Sequence, residues 1–236
     1  MPMAGEGSRF RDAGWTTPKP LIELNGKPLF VRAIESVKVD GAPMKYSFIV
    51  RQEHIDNYDL ADSIRKILPD AMIYSVLKTT RGAVETCLMS EAGIDDDDAV
   101  VVMDCDLEFD SKEYRGIIAR ALETPGQVAT GGALVSFESD QPRYSYAQLG
   151  GDGLVKRTAE KEVISNHALC GAYFFASGRE FKQVAHRLLD EPVMLKPEFY
   201  VSLLYNYLLD SGAPVRLAPM EMYRSYGTPE ELKQWL

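Results

Sequence analysis

Val100-Val101-Val102-Met103-Asp104-Cys105-Asp106-Leu107 is the stretch on which the fold turns. An apolar, β-branched run closed by two carboxylates reads as a buried strand whose end opens onto a polar site. Side chains alternate along an extended chain, so Asp104 and Asp106 fall on the same side. Outward from this run, short apolar segments alternate with amphipathic ones. Strands are expected over 1–4, 47–51, 72–76, 99–104, 128–136 and 168–176. Helices are expected over 28–38, 55–68, 82–92, 111–123, 178–189, 198–210 and 229–236. Segments 144–149 and 154–160 flank Gly150-Gly151-Asp152-Gly153 and predict a hairpin. The order is that of βα units followed by a mixed region, an α/β pattern. Sheets of this kind gather ligands at the carboxyl ends of their strands, where Asp104 and Asp106 stand.

Composition narrows the class. A chain of 236 residues, 45% hydrophobic, can bury a sizeable core as one large domain. Its net charge of −9, without a lysine/arginine cluster, argues against a nucleic-acid partner. No apolar run reaches the roughly 18 residues of a membrane span. The first residues lack the regions of a signal peptide, so a cytoplasmic chain is expected. Cys87, Cys105 and Cys170 are scattered and read as reduced thiols. The acidic run 95–98 reads as a solvated loop before a strand. His54, His167 and His186 show no ligand spacing and read as solvated or core histidines.

Two further stretches carry chemistry. In Ala4-Gly5-Glu6-Gly7-Ser8-Arg9-Phe10, glycines after a strand suit either a plain turn or backbone amides cradling phosphate. Phe10 stands where a dinucleotide fingerprint needs its third glycine, and no Gly-Lys-Ser/Thr follows. Downstream, Pro18-Lys19-Pro20-Leu21 restricts how its lysine is presented. A held lysine and arginine can face a triphosphate; otherwise both are surface charges. Asp104 and Asp106 repel each other unless a cation or donors compensate. Hard oxygen ligands suit Mg²⁺, the alternative being an aspartate that caps the helix near Ser111.

Gly5-x-Gly7-Ser8-Arg9 together with Pro18-Lys19-Pro20-Leu21 resembles the signature of the sugar-phosphate nucleotidyltransferases, the NDP-sugar pyrophosphorylases. The resemblance runs in order from Gly5 to Thr228. It implies a Rossmann-like (GT-A-type) α/β fold with a mixed, mostly parallel sheet flanked by helices and a small antiparallel hairpin region. It also implies a single catalytic domain over 1–236. The implied reaction moves a nucleotidyl group from a nucleoside triphosphate to a sugar 1-phosphate and releases pyrophosphate. Ala4, Gly5, Gly7, Ser8, Arg9, Lys19 and Gly82 would hold the nucleotide. Glu160, Lys161, Asn166 and Gly171 would face the acceptor, with Arg9, Lys19 and Lys161 stabilising charge. Asp106, then Asp104, would hold Mg²⁺.

The chain departs from that pattern in three places. Leu77 replaces a glutamine that helps read the base, and Ser225 replaces a second metal aspartate. Only four residues precede Gly5, so the first strand is short or starts upstream. These departures leave room for a cytidylyltransferase acting on a phosphorylated non-sugar such as phosphocholine. They also leave room for a nucleotide-binding regulatory protein without activity. Formation of a homo-oligomer stays open.

Overall fold

The computed structural model describes residues 1–123, 131–191 and 198–236. Its first half is built of βα units. β1 (Pro2–Met3) leads through a glycine loop to α1 (Ser8–Asp12). The ribbon of β2 (Glu23–Leu24) and β3 (Lys27–Pro28) turns at Asn25-Gly26, both at positive φ (53° and 71°), as tight hairpins require. In α2 (Leu29–Val37) the residues Leu29, Phe30, Ala33, Ile34 and Val37 are buried, the spacing of one apolar helix face. β4 (Ser47–Arg51), α3 (Gln52–Tyr58), α4 (Leu60–Ile67) and β5 (Met72–Val76) follow. β1, β4 and β5 form a parallel three-stranded sheet in that order.

The second half holds a larger mixed sheet. α5 (Ala83–Leu88) precedes β6 (Val100–Met103), β7 (Leu107–Asp110) and α6 (Lys112–Glu123). Then come β8 (Gly132–Glu138), the hairpin of β9 (Ser145–Leu149) and β10 (Val155–Glu160), and β11 (His167–Phe175). The chain closes with α7 (Gly178–Asp190), α8 (Leu204–Asp210), β12 (Val215–Pro219), β13 (Met222–Ser225) and α9 (Pro229–Lys233). The sheet runs β10-β9-β11-β8-β12, with β6 also paired to β11. β11 is apolar almost throughout because both its faces are covered. Phe175 packs on one side with Phe181, Tyr205 and Leu208, and Phe174 on the other with Phe109, Tyr114 and Ile117. Helices therefore cover both faces, the mixed α/β architecture implied by the sequence. Its antiparallel part extends beyond one hairpin, since β11 runs antiparallel to β6, β8 and β9.

Several elements differ from expectation for local reasons. The helix expected over 55–68 is two helices, broken at Asp59, whose φ of 50° is left-handed. The helix expected from 198 starts only with a 3₁₀ turn at Val201–Leu203. The preceding segment is extended because Phe199 N donates to Arg81 O (2.9 Å) and Phe199 O accepts from Val84 N (3.1 Å). The strand expected over 128–136 begins at Gly132, with 128–130 outside the described residues. β2, β3, β7, β12 and β13 were not expected, each having only two to five residues.

The first strand, Pro2–Met3, has two residues. The Met1 ammonium donates to Ser47 O at 2.7 Å, and burial lowers its pKa. Beside it lies an apolar cavity of about 400 Å³ walled by Met1, Phe48, Ile49, Val101, Val102 and Ile118. The acidic run before β6 is exposed and paired with cations. Lys45 meets Asp95 and Asp98 at 2.9 and 3.1 Å, and Lys182 meets Asp96 at 2.7 Å.

Candidate active site

The two aspartates sit in the turn that joins β6 to β7, gripped from both sides. Asp104 N donates to Gly171 O (2.9 Å) in β11, and Asp106 O accepts from Tyr226 N (2.8 Å) just past β13. Burial, and then the neighbouring Asp106 charge, push Asp104 up to about 7. Lys19 supplies the opposite charge. Its ammonium is bonded to Asp106 Oδ2, donates to Gly227 O at 3.3 Å and stands 5.3 Å from the Phe10 ring centroid. Burial alone would lower the Lys19 pKa, but the carboxylates of Asp106 and Asp104 help raise it, so the ammonium stays charged. Prolines on both sides fix its backbone in a 3₁₀ turn, Lys19–Leu21.

Two glycines make room for these charges. Gly171 has φ +86°, and a Cβ there would run into the Asp104 carboxylate. At Gly227 a Cβ would stand 3.1 Å from Glu231 Oε2, 3.5 Å from Ser225 Oγ and 3.6 Å from Asp106 Oδ2. Of these, Glu231 Oε2 and Ser225 Oγ are bonded to each other (2.7 Å), whereas the carboxylates of Asp104 and Asp106 are hard oxygen donors of the kind Mg²⁺ takes. Among the described residues no three or more His, Cys, Asp and Glu side chains form a cage alone. A Mg²⁺ here would complete its shell with water and substrate oxygens, as it usually does.

On one side of the carboxylates lies a cavity of about 550 Å³, walled by Gly5, Gly7, Lys19, Arg11, Arg51 and Phe10 among others. Ala4 is buried at the foot of this loop. Gly7 takes a left-handed conformation (φ 61°) at the start of α1, and its carbonyl accepts from Phe10 N and Arg11 N, each at 3.1 Å. Neither Gly5 nor Gly7 has an atom within 4 Å of where a Cβ would be, so the backbone edge is open. Ser8 and Arg9 are exposed on α1, and neither is among the residues walling the cavity. Arg11 and Arg51 are among them, two cations the sequence reading missed. Arg51 is aimed by Thr79 Oγ1 at 3.2 Å. Gly82 is used differently from expectation: its bare Cα lies against the Phe199 backbone, where a Cβ would stand 2.7 Å from Phe199 O. Leu77 is 84% exposed.

On the other side lies a cavity of about 260 Å³ walled by Glu160, Tyr144, Tyr173, Tyr200, Tyr223 and Gly171, with Arg143 and Ser225 also at its surface. Glu160, buried at the end of β10, accepts from Ser202 Oγ at 2.8 Å. Lys161 follows with φ 54°, a strained conformation for a lysine. Its Nζ donates to Tyr200 OH at 2.6 Å, and that hydrogen bond raises its pKa. Lys161 reaches the cavity wall through this tyrosine. Asn166 is not brought in: it is exposed in the turn before β11, its carbonyl accepting from Ser139 N at 3.1 Å. Asp104 and Asp106 wall both cavities, so the two spaces meet at the carboxylates.

Comparison with known proteins gives a consistent picture. A family model described as nucleotidyl transferase matches residues 3–199. Among solved structures, a nucleoside-diphosphate-sugar pyrophosphorylase from Vibrio cholerae RC9 is 26% identical. That match covers 100% of this chain and 99% of that one, with a TM-score of 0.83. A Bacillus anthracis protein assigned as a glucose-1-phosphate thymidylyltransferase, solved with a sucrose, is 19% identical over 99% of this chain and 91% of that one (TM-score 0.76). The inositol-1-phosphate CTP transferase of T. maritima is 16% identical with the same coverage (TM-score 0.72). At such identities the last two speak to the fold alone.

Proposed function

The chain belongs to the nucleotidyl transferase family, and from that premise we propose that it joins a nucleoside triphosphate to a sugar 1-phosphate, releasing pyrophosphate. One observation carries this reading: two cavities, one edged by an open glycine loop and cations, the other by hydroxyl-bearing side chains, share Asp104 and Asp106 as a common wall. A donor and an acceptor lying one in each would meet there. The similarity to a nucleoside-diphosphate-sugar pyrophosphorylase supports the same assignment.

In this reading an acceptor phosphate oxygen attacks the α-phosphorus in line. The new P–O bond forms as the bond to the bridging oxygen breaks, and pyrophosphate leaves with the electron pair. The nucleophile is already anionic at neutral pH, so no side chain need take a proton. What remains is positioning and charge stabilisation. The Gly5–Gly7 backbone would receive the triphosphate, with Lys19, Arg11 and Arg51 neutralising its oxygens. Glu160 would accept from acceptor hydroxyls, and Lys161 would stand near the acceptor phosphate. Mg²⁺, held by Asp106 with Asp104, would neutralise phosphate oxygens when bound.

A second reading is favoured by the tyrosines of the smaller cavity, since aromatic faces can hold a quaternary ammonium such as that of phosphocholine. Two of those faces already carry cations: Arg143 lies 4.6 Å from the Tyr144 ring centroid and Lys161 4.7 Å from that of Tyr200. The sugar reading is therefore preferred. A pyrophosphate-release assay with Mg²⁺, crossing five nucleoside triphosphates with several sugar 1-phosphates and phosphocholine, tests both. Release that needs one nucleotide and one sugar 1-phosphate is expected. Release with phosphocholine alone would select the second reading, and nucleotide binding without release would select a binding protein.

A further inference from the structure

Arg143 is a charged group that the family signature does not explain. It lies in the turn before β9, half exposed, at the surface of the smaller cavity shared with Asp104 and Asp106. Its guanidinium is held on three sides. Nη1 meets Glu231 Oε1 at 2.7 Å, Nη2 is bonded to Tyr144 OH, and the plane lies over the Tyr144 ring. Tyr144 is itself packed edge-on against Phe137, whose ring stacks on Tyr223.

The anchor behind the arginine is equally defined. Glu231 Oε2 accepts from Ser225 Oγ (2.7 Å) and from Thr228 N (3.1 Å), while Thr228 Oγ1 accepts from Glu231 N. This capping box ties Glu231 to the first turn of α9. Ser225 thus has a use. A hydroxyl there donates to Glu231, whereas an aspartate would set a second carboxylate against it and loosen the partner of Arg143.

Building on the transfer reading, we propose that Arg143 binds the phosphate of the acceptor, preorganised by Glu231 and Tyr144, with Ser225 positioning Glu231. The chemistry asks for such a group. An acceptor phosphate entering a cavity walled by Asp104, Asp106 and Glu160 meets three acids, and a guanidinium presents several donors in a fork that matches phosphate oxygens. Two other cations lie nearby, Lys19 engaged with Asp106 and Lys161 with the Tyr200 hydroxyl. Preorganisation lets Arg143 bind without first losing side-chain freedom.

The test is calorimetric titration of the full chain with glucose 1-phosphate, other sugar 1-phosphates and phosphocholine, alongside pyrophosphate-release kinetics. Arg143→Met should weaken binding of whichever phosphorylated acceptor the native chain takes, and raise its KM, by about 10–100-fold. The KM for the nucleotide should stay within about twofold, a split that a merely structural role would not produce. Glu231→Gln keeps the capping box, since glutamine also serves at that position. It should raise the acceptor KM by a smaller factor without moving the nucleotide KM. Arg143→Met with unchanged acceptor affinity, or with both KM values raised equally, overturns the proposal and leaves the transfer reading standing. A native chain that neither binds a phosphorylated acceptor nor releases pyrophosphate overturns both.

Discussion

Lys19 is where several physical demands meet in one side chain. It compensates two aspartates, stays charged despite its burial, and lies at the edge of the larger cavity. Lys19→Ala should leave the near-ultraviolet dichroism native while pyrophosphate release falls on the order of 10²–10³-fold, the usual loss when one group stabilising developing charge is removed. Full turnover in a folded variant would refute its assignment. Lys19 and Asp106 were legible in the sequence because their chemistry is local: prolines restrict the lysine, and a strand end presents the aspartates. Arg11, Arg51 and Arg143 were not, because only packing decides which arginines turn inward. Glu231 left a faint signal, since Thr228-Pro229-Glu230-Glu231 has the spacing of a capping box. Gly82 was legible as a special glycine but not for its use, since the strand-like segment at Phe199 that crosses it is far away in sequence.

At the scale of elements, the break between α3 and α4 turns on one residue. Asp59 is left-handed and its side chain makes no capping hydrogen bond to α4. Glycine adopts that conformation at little steric cost. Asp59→Gly should therefore hold or raise stability, by up to about 1 kcal/mol, with the urea midpoint as the measure. A clear fall would mean that Asp59 makes a contact beyond its backbone. The apolar period carried through 55–68 without interruption, so the sequence showed the buried face and not the break. The longest strand, β11, was legible as a continuous apolar run. Its irregular register opposite β8 between Leu169 and Tyr173 was not, although Gly171 marks the place.

For the whole molecule, the alternation of strand and helix sufficed for the fold class, while the antiparallel pairings of β11 had to be seen. Nucleotide and Mg²⁺ bound between the two halves of the site would stabilise the fold by mass action. At a hundredfold excess over Kd the gain is about 2.7 kcal/mol, and melting with the cognate nucleotide should show it as a raised Tm. Chelation of Mg²⁺ should shrink that rise; a rise untouched by chelation would remove the metal from nucleotide binding. One contact bears on how the chain is made. Lys19 donates to a carbonyl 208 residues further on, at Gly227. At about 5–20 residues per second, ribosomal synthesis separates the two by roughly 10–40 s. In the later part of that interval the nascent chain holds Lys19 and its aspartates yet lacks Gly227, so the constellation closes only once that segment has left the ribosome.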